Sequence, residues 1–218
     1  MQKQFLLFDL DGTLTDPKVG ITKSVQHALA HYGITVDNRN DLLPFIGPPL
    51  RDSFKQFYGF SDEGATGAID KYREYFSETG IYENSVYPGI DHLLETLNNQ
   101  GKTLILATSK PTVYAKRILQ HFHIDQFFTF ISGSELDGRR TDKSEVIQYA
   151  FAHCPDATLD NAVMIGDRKH DITGANKVGI DSIGVLYGYG DYEELSAAGA
   201  TRIVKDVSEL LSTLTAVN

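Results

Sequence analysis

The chain is poor in the residues that mark a secreted or membrane protein. It contains a single cysteine, Cys154, so no disulfide can form within it, which suits a reducing compartment. Its N-terminus offers only the apolar run Phe5–Phe8 before two aspartates. That run is far shorter than the about 7 to 15 apolar residues of a signal peptide or the about 20 of a membrane span. We therefore expect a cytoplasmic protein.

Positive charge is also in deficit. The 20 lysines and arginines face 29 aspartates and glutamates, which gives a formal net charge of −9 and a pI near 5.2. Nucleic acids and anionic membrane surfaces require a basic face, so we expect neither as the main partner. An anionic substrate must then be met by local positive charge or by a metal. The composition leaves the oligomeric state open.

The sequence does contain five short apolar runs, each followed by polar residues. The runs begin at Phe5, Thr103, Phe127, Ala162 and Ser182. Each is too short for a helix and nearly continuous, which is typical of a strand buried on both faces of a parallel sheet. Helix-like segments separate the later runs. This alternation predicts an α/β fold with a doubly wound parallel sheet.

Residues 16–84 interrupt the alternation, because they contain no convincing strand. Three segments there carry apolar residues at helical spacing: Lys18–Tyr32, Pro49–Tyr58 and Asp62–Thr79. The sequence therefore predicts an all-helical module inserted between the first strand and the second, with residues 1–15 and 85–218 forming the α/β core.

Polar side chains collect where the predicted strands end. They are Asp9 and Asp11 after the first run, Thr108, Ser109 and Lys110 after the second, and Asp167 and Asp171 after the fourth. The carboxyl ends of parallel strands meet at one edge of a sheet, so these groups should converge. Four carboxylates within about 4 to 6 Å repel one another and need a cation among them. Hard oxygen donors suit Mg²⁺, which shares its remaining positions with water and phosphate.

In order along the chain, these residues resemble the four motifs of the haloacid dehalogenase superfamily of phosphatases. The first motif, DxDGT, is similar to Asp9–Thr13, and the second, a hydroxyl residue ending a strand, to Thr108. The third, a lysine at a helix start, is similar to Lys143, and the fourth, GDxxxD, to Gly166–Asp171. The resemblance spans the whole chain. It implies a Rossmann-like core (1–15 and 85–218) with the catalytic site and a C1-type helical cap (16–84) that governs substrate selection.

The resemblance also implies a role for each residue. Asp9 would be the nucleophile that becomes an aspartyl phosphate, and Asp11 the general acid and then the general base. The cofactor would be Mg²⁺, held by Asp9, the backbone carbonyl of Asp11 and Asp167, with Asp171 nearby. Thr108 and Lys143 would bind the transferring phosphoryl group, and Lys143 would also offset the charge on Asp9.

Two further residues are candidates for substrate contacts. The hydroxyl of Ser109, beside Thr108, could hold phosphoryl oxygens. In the predicted cap, Arg51 could reach a substrate anion or could be a solvated surface residue.

The same resemblance indicates the class of substrate. The segments TSKPT, DKSEV and GDRKHDI are similar to those of phosphoglycolate phosphatases and bacterial 5′-nucleotidases. They imply a small phosphorylated metabolite as the partner, either phosphoglycolate or a nucleoside 5′-monophosphate. The alternatives are a sugar-phosphate mutase, which returns the phosphoryl group to its substrate, and a non-enzymatic phospho-receiver module.

Overall fold

The computed structural model describes residues 3–216, which form two compact units. One unit consists of residues 3–15 and 86–216, and the other of residues 16–85. The first is built on a parallel sheet and the second is helical. Within residues 3–216, no helix is both long enough and apolar enough to span a bilayer.

Six of the strands form one sheet, in which every pairing is parallel and the order is β5-β4-β1-β6-β7-β8. A separate pair, β2 and β3, lies where the chain passes from one unit to the other. The strands are β1 (Phe5–Phe8), β2 (Thr15–Asp16), β3 (Ser85–Val86), β4 (Thr103–Pro111), β5 (Phe128–Ser134), β6 (Ala162–Gly166), β7 (Asp181–Val185) and β8 (Arg202–Val204).

Three α-helices belong to the helical unit and six to the α/β unit. The helical unit also contains the 3₁₀ helices Arg39–Phe45 and Gly80–Tyr82. The α-helices are α1 (Lys18–His31), α2 (Leu50–Tyr58), α3 (Asp62–Phe76), α4 (Ile90–Asn99), α5 (Thr112–His121), α6 (Lys143–His153), α7 (Lys169–Val178), α8 (Tyr192–Ala197) and α9 (Val207–Thr215).

The strand order places a crevice at the carboxyl end of β1. From β1 the chain adds β4 and β5 on one side, and it then returns to add β6, β7 and β8 on the other side. The junction of β1 and β6 is therefore the point at which the strand order reverses. In open α/β sheets, ligands bind outside the carboxyl ends of the strands at this point.

The hydrophobic core explains why β1 is apolar throughout. Phe5 and Leu7 belong to a buried cluster with Val146 of α6 and Ala175 of α7, on one face of the sheet. The intervening residue, Leu6, is fully buried as well, and successive side chains of a strand point to opposite faces. A strand covered on both faces has no polar side, so the first polar residue marks where the strand leaves the core.

The helical unit is packed around aromatic side chains. The ring of Phe54 lies 5.1 Å from that of Phe45 and 5.7 Å from that of Phe60, centroid to centroid, and Phe60 in turn contacts Tyr32 at 4.9 Å. Offset and edge-to-face rings at such distances add to the stability that their burial provides. These contacts link the 3₁₀ helix Arg39–Phe45 and α2 to the residues that follow α1 and α2.

The predicted doubly wound parallel sheet is confirmed, and the structure differs from the prediction in several details. Strands β2, β3 and β8 were not predicted, because their two or three residues are too few to form an apolar run. Strand β4 continues past its apolar run to Pro111. The helix predicted over Asp62–Thr79 ends at Phe76, where the chain turns into Gly80–Tyr82.

Candidate active site

Asp9 and Asp11 stand at the carboxyl end of β1, at the beginning of a tight turn. The N–H of Asp9 donates to the carbonyl of Ile165 at 2.9 Å, which extends the pairing of β1 with β6 by one residue. The carbonyl of Leu10 then accepts N–H groups from residues further along the loop, which reverses the chain. Gly12 has φ +84°, a conformation that glycine adopts without strain. Both carboxylates are buried at this edge of the sheet.

Asp167 and Asp171 come from the end of β6 and the first turn of α7. Asp171 Oδ2 accepts the N–H of Arg168 at 3.1 Å, so the carboxylate also closes the start of α7. A Cβ on Gly166 would lie 2.2 Å from Asp171 Cγ. Only glycine at residue 166 lets the Asp171 carboxylate fold back over the end of β6.

Three of these carboxylates form one cluster. Asp9, Asp167 and Asp171 are all buried, and each offers an oxygen within 4.8 Å of the other two. Asp9 Oδ1 and Asp171 Oδ1 have no hydrogen-bond partner within residues 3–216, although the ammonium of Lys143 lies within ion-pair distance of both. The arrangement is a set of hard oxygen donors of the kind that holds a divalent cation.

The loop after β7 fixes the orientation of Asp167. The backbone N–H of Tyr189 donates to Asp167 Oδ2 at 2.8 Å, and the hydroxyl of Thr13 donates to Oδ1 at 3.4 Å. A Cβ on Gly188 would lie 2.3 Å from both Asp167 Cβ and the carbonyl oxygen of Gly12. The loop can approach Asp167 this closely only because residue 188 is glycine.

Lys143 is the first residue of α6, after the N-cap Asp142. Its ammonium donates to the carbonyl of Ala107 at 2.9 Å and lies 2.9 Å from Asp9 Oδ1 and 2.8 Å from Asp171 Oδ1. The side chain is only 3% exposed. One buried cation thus bridges the end of β1, the end of β4 and the start of α7.

A second lysine reaches the same region from β4. The ammonium of Lys110 lies 2.8 Å from Asp11 Oδ2, and the two side chains are 6% and 12% exposed. The sequence places Lys110 at the end of the second apolar run, but no pattern there indicates that it pairs with Asp11.

Burial controls the protonation of the carboxylates. Burial raises the pKa of Asp167 well above its ordinary value, and the charges of Asp171 and Asp9 raise it further. Burial also raises the pKa of Asp171 to about 6, against the attraction of Lys143. The pKa of Lys143 is raised, because Asp171 and Asp9 outweigh the effect of its own burial. The carboxylates destabilise one another unless positive charge is added.

The charge balance shows how much positive charge the site accommodates. Four carboxylates, of Asp9, Asp11, Asp167 and Asp171, face the two ammonium groups of Lys110 and Lys143, so the formal charge is −2 when all are ionised. One divalent cation neutralises this charge, and the cluster of Asp9, Asp167 and Asp171 offers oxygen atoms as ligands. The residues present therefore fit a divalent metal ion.

The remaining predicted site residues lie at the end of β4 and in the helical unit. Thr108 is buried, and its Oγ1 accepts the N–H of Lys110 at 3.2 Å. Ser109 is half-buried, and its carbonyl accepts the hydroxyl of Ser134 at 2.8 Å. Arg51 belongs to α2 of the helical unit, where its guanidinium donates to Thr66 Oγ1 at 2.8 Å. Its contact with a substrate stays a prediction.

Comparison with known proteins identifies a family. The family model for haloacid dehalogenase-like hydrolases matches residues 6–185. This range contains all four motifs, which are Asp9–Thr13, Thr108, Lys143 and Gly166–Asp171. The model covers the α/β unit from β1 to β7, together with the whole helical unit.

Individual relatives cover nearly the whole chain. A protein of Pseudomonas aeruginosa named 5′-nucleotidase is 49% identical over 209 residues, which span 96% of this chain and 94% of that protein. The tyrosine-protein kinase PtkA of Mycobacterium tuberculosis is 40% identical over 198 residues, 91% of this chain and 67% of that protein. The crystal structure of a predicted phosphatase from Clostridium acetobutylicum has a TM-score of 0.96 at 49% identity, covering 98% of this chain and 99% of its own.

Proposed function

The chain belongs to the haloacid dehalogenase-like hydrolase family, and we propose that it is a Mg²⁺-dependent phosphatase that hydrolyses small phosphomonoesters through an aspartyl phosphate. That it is a phosphatase of this family follows from its relatives. The cation, the covalent intermediate and the substrate are our proposal. The observation that carries it is the buried group of four carboxylates and two lysines at the point where the strand order reverses.

Mg²⁺ is the cation that this site suits. The carboxylates of Asp9 and Asp167 and the backbone carbonyl of Asp11 would hold it, with Asp171 beside them. When bound, Mg²⁺ would neutralise charge on the transferring phosphoryl group and so reduce its repulsion from Asp9. The ligands are few and all are oxygens, which matches an ion that keeps several waters and binds substrate phosphate.

Asp9 is the proposed nucleophile. In the first half-reaction a carboxylate oxygen of Asp9 forms a bond to phosphorus while the bond from phosphorus to the leaving oxygen breaks. Lys143, 2.9 Å away, offsets the negative charge that would otherwise repel the phosphoryl group. In the second half-reaction water displaces Asp9 from phosphorus, so that inorganic phosphate is released and the carboxylate is restored.

Asp11 is the proposed general acid and base. It gives a proton to the leaving oxygen in the first half-reaction and takes one from the attacking water in the second. Burial raises the pKa of this carboxyl group, with Lys110 opposing the rise. A raised pKa favours the protonated form that the first half-reaction needs, and a positioned acid contributes about 10²- to 10⁴-fold to the rate.

Thr108, Ser109 and Lys143 are the proposed contacts for the phosphoryl oxygens. Thr108 and Ser109 lie near the end of β4, and we assign their hydroxyls to the phosphoryl oxygens; the ammonium of Lys143 lies beside Asp9. Reactions of this kind depend chiefly on positioning and charge stabilisation.

A nucleoside 5′-monophosphate is the substrate that we propose. The Pseudomonas aeruginosa protein named 5′-nucleotidase shares 49% identity over nearly the full length of both chains, so its helical unit aligns with this one. We further propose that this unit, residues 16–85, selects the leaving group, with Arg51 as a contact for a substrate anion. Phosphoglycolate stays the alternative substrate.

Phosphoryl transfer to an acceptor other than water is a second candidate function. It is favoured by the 40% identity to a protein named tyrosine-protein kinase PtkA. The same aspartyl chemistry would serve a sugar-phosphate mutase or a receiver module that keeps its phosphoryl group. The three cases differ from a phosphatase in the fate of the phosphoryl group.

The deciding experiment follows inorganic phosphate release from a panel of phosphate compounds. The panel contains nucleoside 5′-monophosphates, phosphoglycolate, sugar phosphates and pyrophosphate, each tested with Mg²⁺ and with excess EDTA. We expect turnover only with Mg²⁺, with the highest kcat/KM for a nucleoside 5′-monophosphate. Turnover that is unchanged in EDTA would contradict the metal assignment. If the protein keeps the phosphoryl group covalently bound and releases no inorganic phosphate, the phosphatase assignment is contradicted. It is also contradicted if turnover needs a bisphosphate primer.

A further inference from the structure

Lys110 makes a buried ion pair with only one oxygen of Asp11. Its ammonium is 2.8 Å from Asp11 Oδ2. The other oxygen, Oδ1, is buried and has no hydrogen-bond partner in the part of the chain that the structure describes. The two oxygens of one carboxylate therefore have different surroundings.

The end of β4 is shaped so that Lys110 can reach Asp11. Ala107 pairs with Ser132 and Pro111 pairs with Ser134. Between these two pairs β4 advances by four residues, whereas β5 advances by only two. Two extra residues in one strand form a bulge, which changes the direction of the side chains there.

Gly133 of β5 accommodates this bulge. A Cβ on Gly133 would lie 2.6 Å from the carbonyl oxygen of Lys110 and 3.0 Å from Thr112 Cα. The bulge is also bonded on both sides, because the N–H of Lys110 donates to Thr108 Oγ1 and the hydroxyl of Ser134 donates to the carbonyl of Ser109. The backbone of Lys110 is thus held in place by specific contacts.

The two lysines of the site divide the carboxylates between them. Lys143 pairs with Asp9 and Asp171, at 2.9 and 2.8 Å. Lys110 pairs with Asp11. Lys143 is therefore placed to offset the negative charges of Asp9 and Asp171. Lys110 is placed to hold Asp11, the proposed acid and base.

We propose that Lys110 is a positioning residue, which holds Asp11 by Oδ2 and presents Oδ1 as the oxygen that exchanges protons with the leaving group and with water. This inference rests on the proposed function, because it assigns a helper to the acid and base of that reaction. It differs from a purely structural ion pair in predicting that, in the first half-reaction, Lys110 matters only when the leaving group needs a proton.

The proton and the electron pairs balance in both half-reactions. In the first, the Oδ1–H bond of Asp11 breaks and the proton passes to the leaving oxygen, while phosphorus exchanges that oxygen for one of Asp9. The electron pair left on Asp11 is shared with Oδ2, which stays paired with Lys110. In the second, Oδ1 takes a proton from water as the water oxygen bonds to phosphorus and Asp9 is released.

The test compares aryl phosphates of similar shape whose leaving groups differ in basicity. Phenyl phosphate releases a basic phenolate that needs a proton, whereas 2,4-dinitrophenyl phosphate releases a stable phenolate that does not. We expect Lys110→Met to lower kcat/KM, which reports the first half-reaction, by about 10²-fold for phenyl phosphate and nucleoside 5′-monophosphates, the size of a general-acid contribution. For dinitrophenyl phosphate we expect kcat/KM to fall by less than about threefold.

Two variants control for the loss of a lysine and for its partner. Lys102→Met makes the same substitution just before the other end of β4, where the ammonium donates to the carbonyl of Lys3, and should leave the whole substrate series unchanged. Asp11→Asn alone should show the same leaving-group dependence as Lys110→Met. Adding Lys110→Met to Asp11→Asn should cause almost no further loss, because residues that act through one another are not additive. The double variant lacks both charges of the pair. If Lys110→Met alone folds poorly, the comparison of the double variant with Asp11→Asn still tests the proposal.

The outcomes separate the two proposals. A uniform loss of kcat/KM across the series, or full additivity in the double variant, would overturn the role of Lys110 and leave the phosphatase assignment intact. If the wild-type protein releases phosphate from none of these compounds, the proposed function fails and the role of Lys110 fails with it. A selective loss in Lys110→Met that is absent in Asp11→Asn would show that the lysine acts directly on the substrate.

Discussion

Gly12 and Asp167 lie so close that a Cβ on residue 12 would be 2.1 Å from Asp167 Oδ2. The turn after β1 and the end of β6 therefore meet without space for a side chain. This contact brings the β1 turn that follows Asp9 and Asp11 against the carboxylate from β6. The glycine of the first motif thus serves two purposes, because it permits both the left-handed backbone and the approach of Asp167.

Gly12→Ala is expected to damage the site by displacing Asp167. The matched control is Gly101→Ala, because Gly101 has φ +75° but nothing within 4 Å of an added Cβ. The control should lose only the about 1 to 2 kcal/mol of an alanine in left-handed conformation. Gly12→Ala should lose about 1 to 3 kcal/mol more through overpacking, together with most of the phosphatase activity. Urea unfolding and phosphate release measure both effects, and equal losses in the two variants would contradict this account of Gly12.

The aspartates that follow β1 and β6 could be predicted from the sequence, because each comes directly after an apolar run. Asp9 is the first polar residue after β1, and Asp167 follows β6 in the same way. A strand buried on both faces leaves no ambiguity about where it ends. The resemblance to a known family then supplied Lys143, whose position at the start of α6 no strand pattern indicates.

The contacts that the sequence did not indicate depend on backbone geometry. The bulge that directs Lys110 to Asp11 is a mismatch between β4 and β5, which neither strand shows alone. The hydrogen bond to Asp167 comes from a backbone N–H, at Tyr189, so no side-chain type marks it. Hydrophobic patterns locate elements and their ends, whereas register and loop geometry arise only when the elements are packed together.

Asp9→Asn is expected to abolish phosphate release and to leave the fold intact. The amide cannot act as the nucleophile, but it has nearly the same shape as the carboxylate. Because the variant removes one of the four negative charges of the site, its thermal midpoint in EDTA should equal or exceed that of the wild type. Exposed Asp156→Asn is the matched control and should keep full activity. Turnover above about 1% of wild type would rule out Asp9 as the nucleophile.

Mg²⁺ is expected to stabilise the folded protein, and Asp167→Asn should weaken that effect. A ligand that binds only the folded state adds about 2.7 kcal/mol at 100 times its Kd. We expect Asp167→Asn to bind Mg²⁺ at least tenfold more weakly, because it loses one of the three clustered carboxylates. Thermal unfolding across a Mg²⁺ titration measures this without any substrate, with Asp156→Asn as the control. An equal Mg²⁺ response in wild type and Asp167→Asn would contradict the proposed ligand set.

Asp142 is expected to stabilise the start of α6 in a pH-dependent manner. Although burial opposes it, hydrogen bonds from Lys177 and Ser144 lower the pKa of Asp142 from 3.8 to about 2. A lowered carboxylate pKa gives stability that is present above about pH 4 and is lost as the pH falls toward 2. Asp142→Ala should cost about 1 kcal/mol at pH 7 through the lost N-cap. Urea unfolding should show this difference shrinking below pH 4, and a difference that stays constant would contradict the assignment.

Gly133→Ala is expected to disturb the site from the neighbouring strand, through Lys110. The added Cβ would lie 2.6 Å from the carbonyl oxygen of Lys110, so the bulge of β4 must shift and the ammonium must move away from Asp11. We expect a loss of about 1 to 3 kcal/mol in the free energy of unfolding and a selective fall in kcat/KM for phenyl phosphate over dinitrophenyl phosphate. Gly138→Ala, in the exposed loop after β5 with nothing within 4 Å, is the control; its φ of +91° should cost about 1 to 2 kcal/mol in stability but leave the preference among substrates unchanged. If Gly133→Ala lowers stability but slows all substrates equally, the bulge supports the sheet without orienting Lys110.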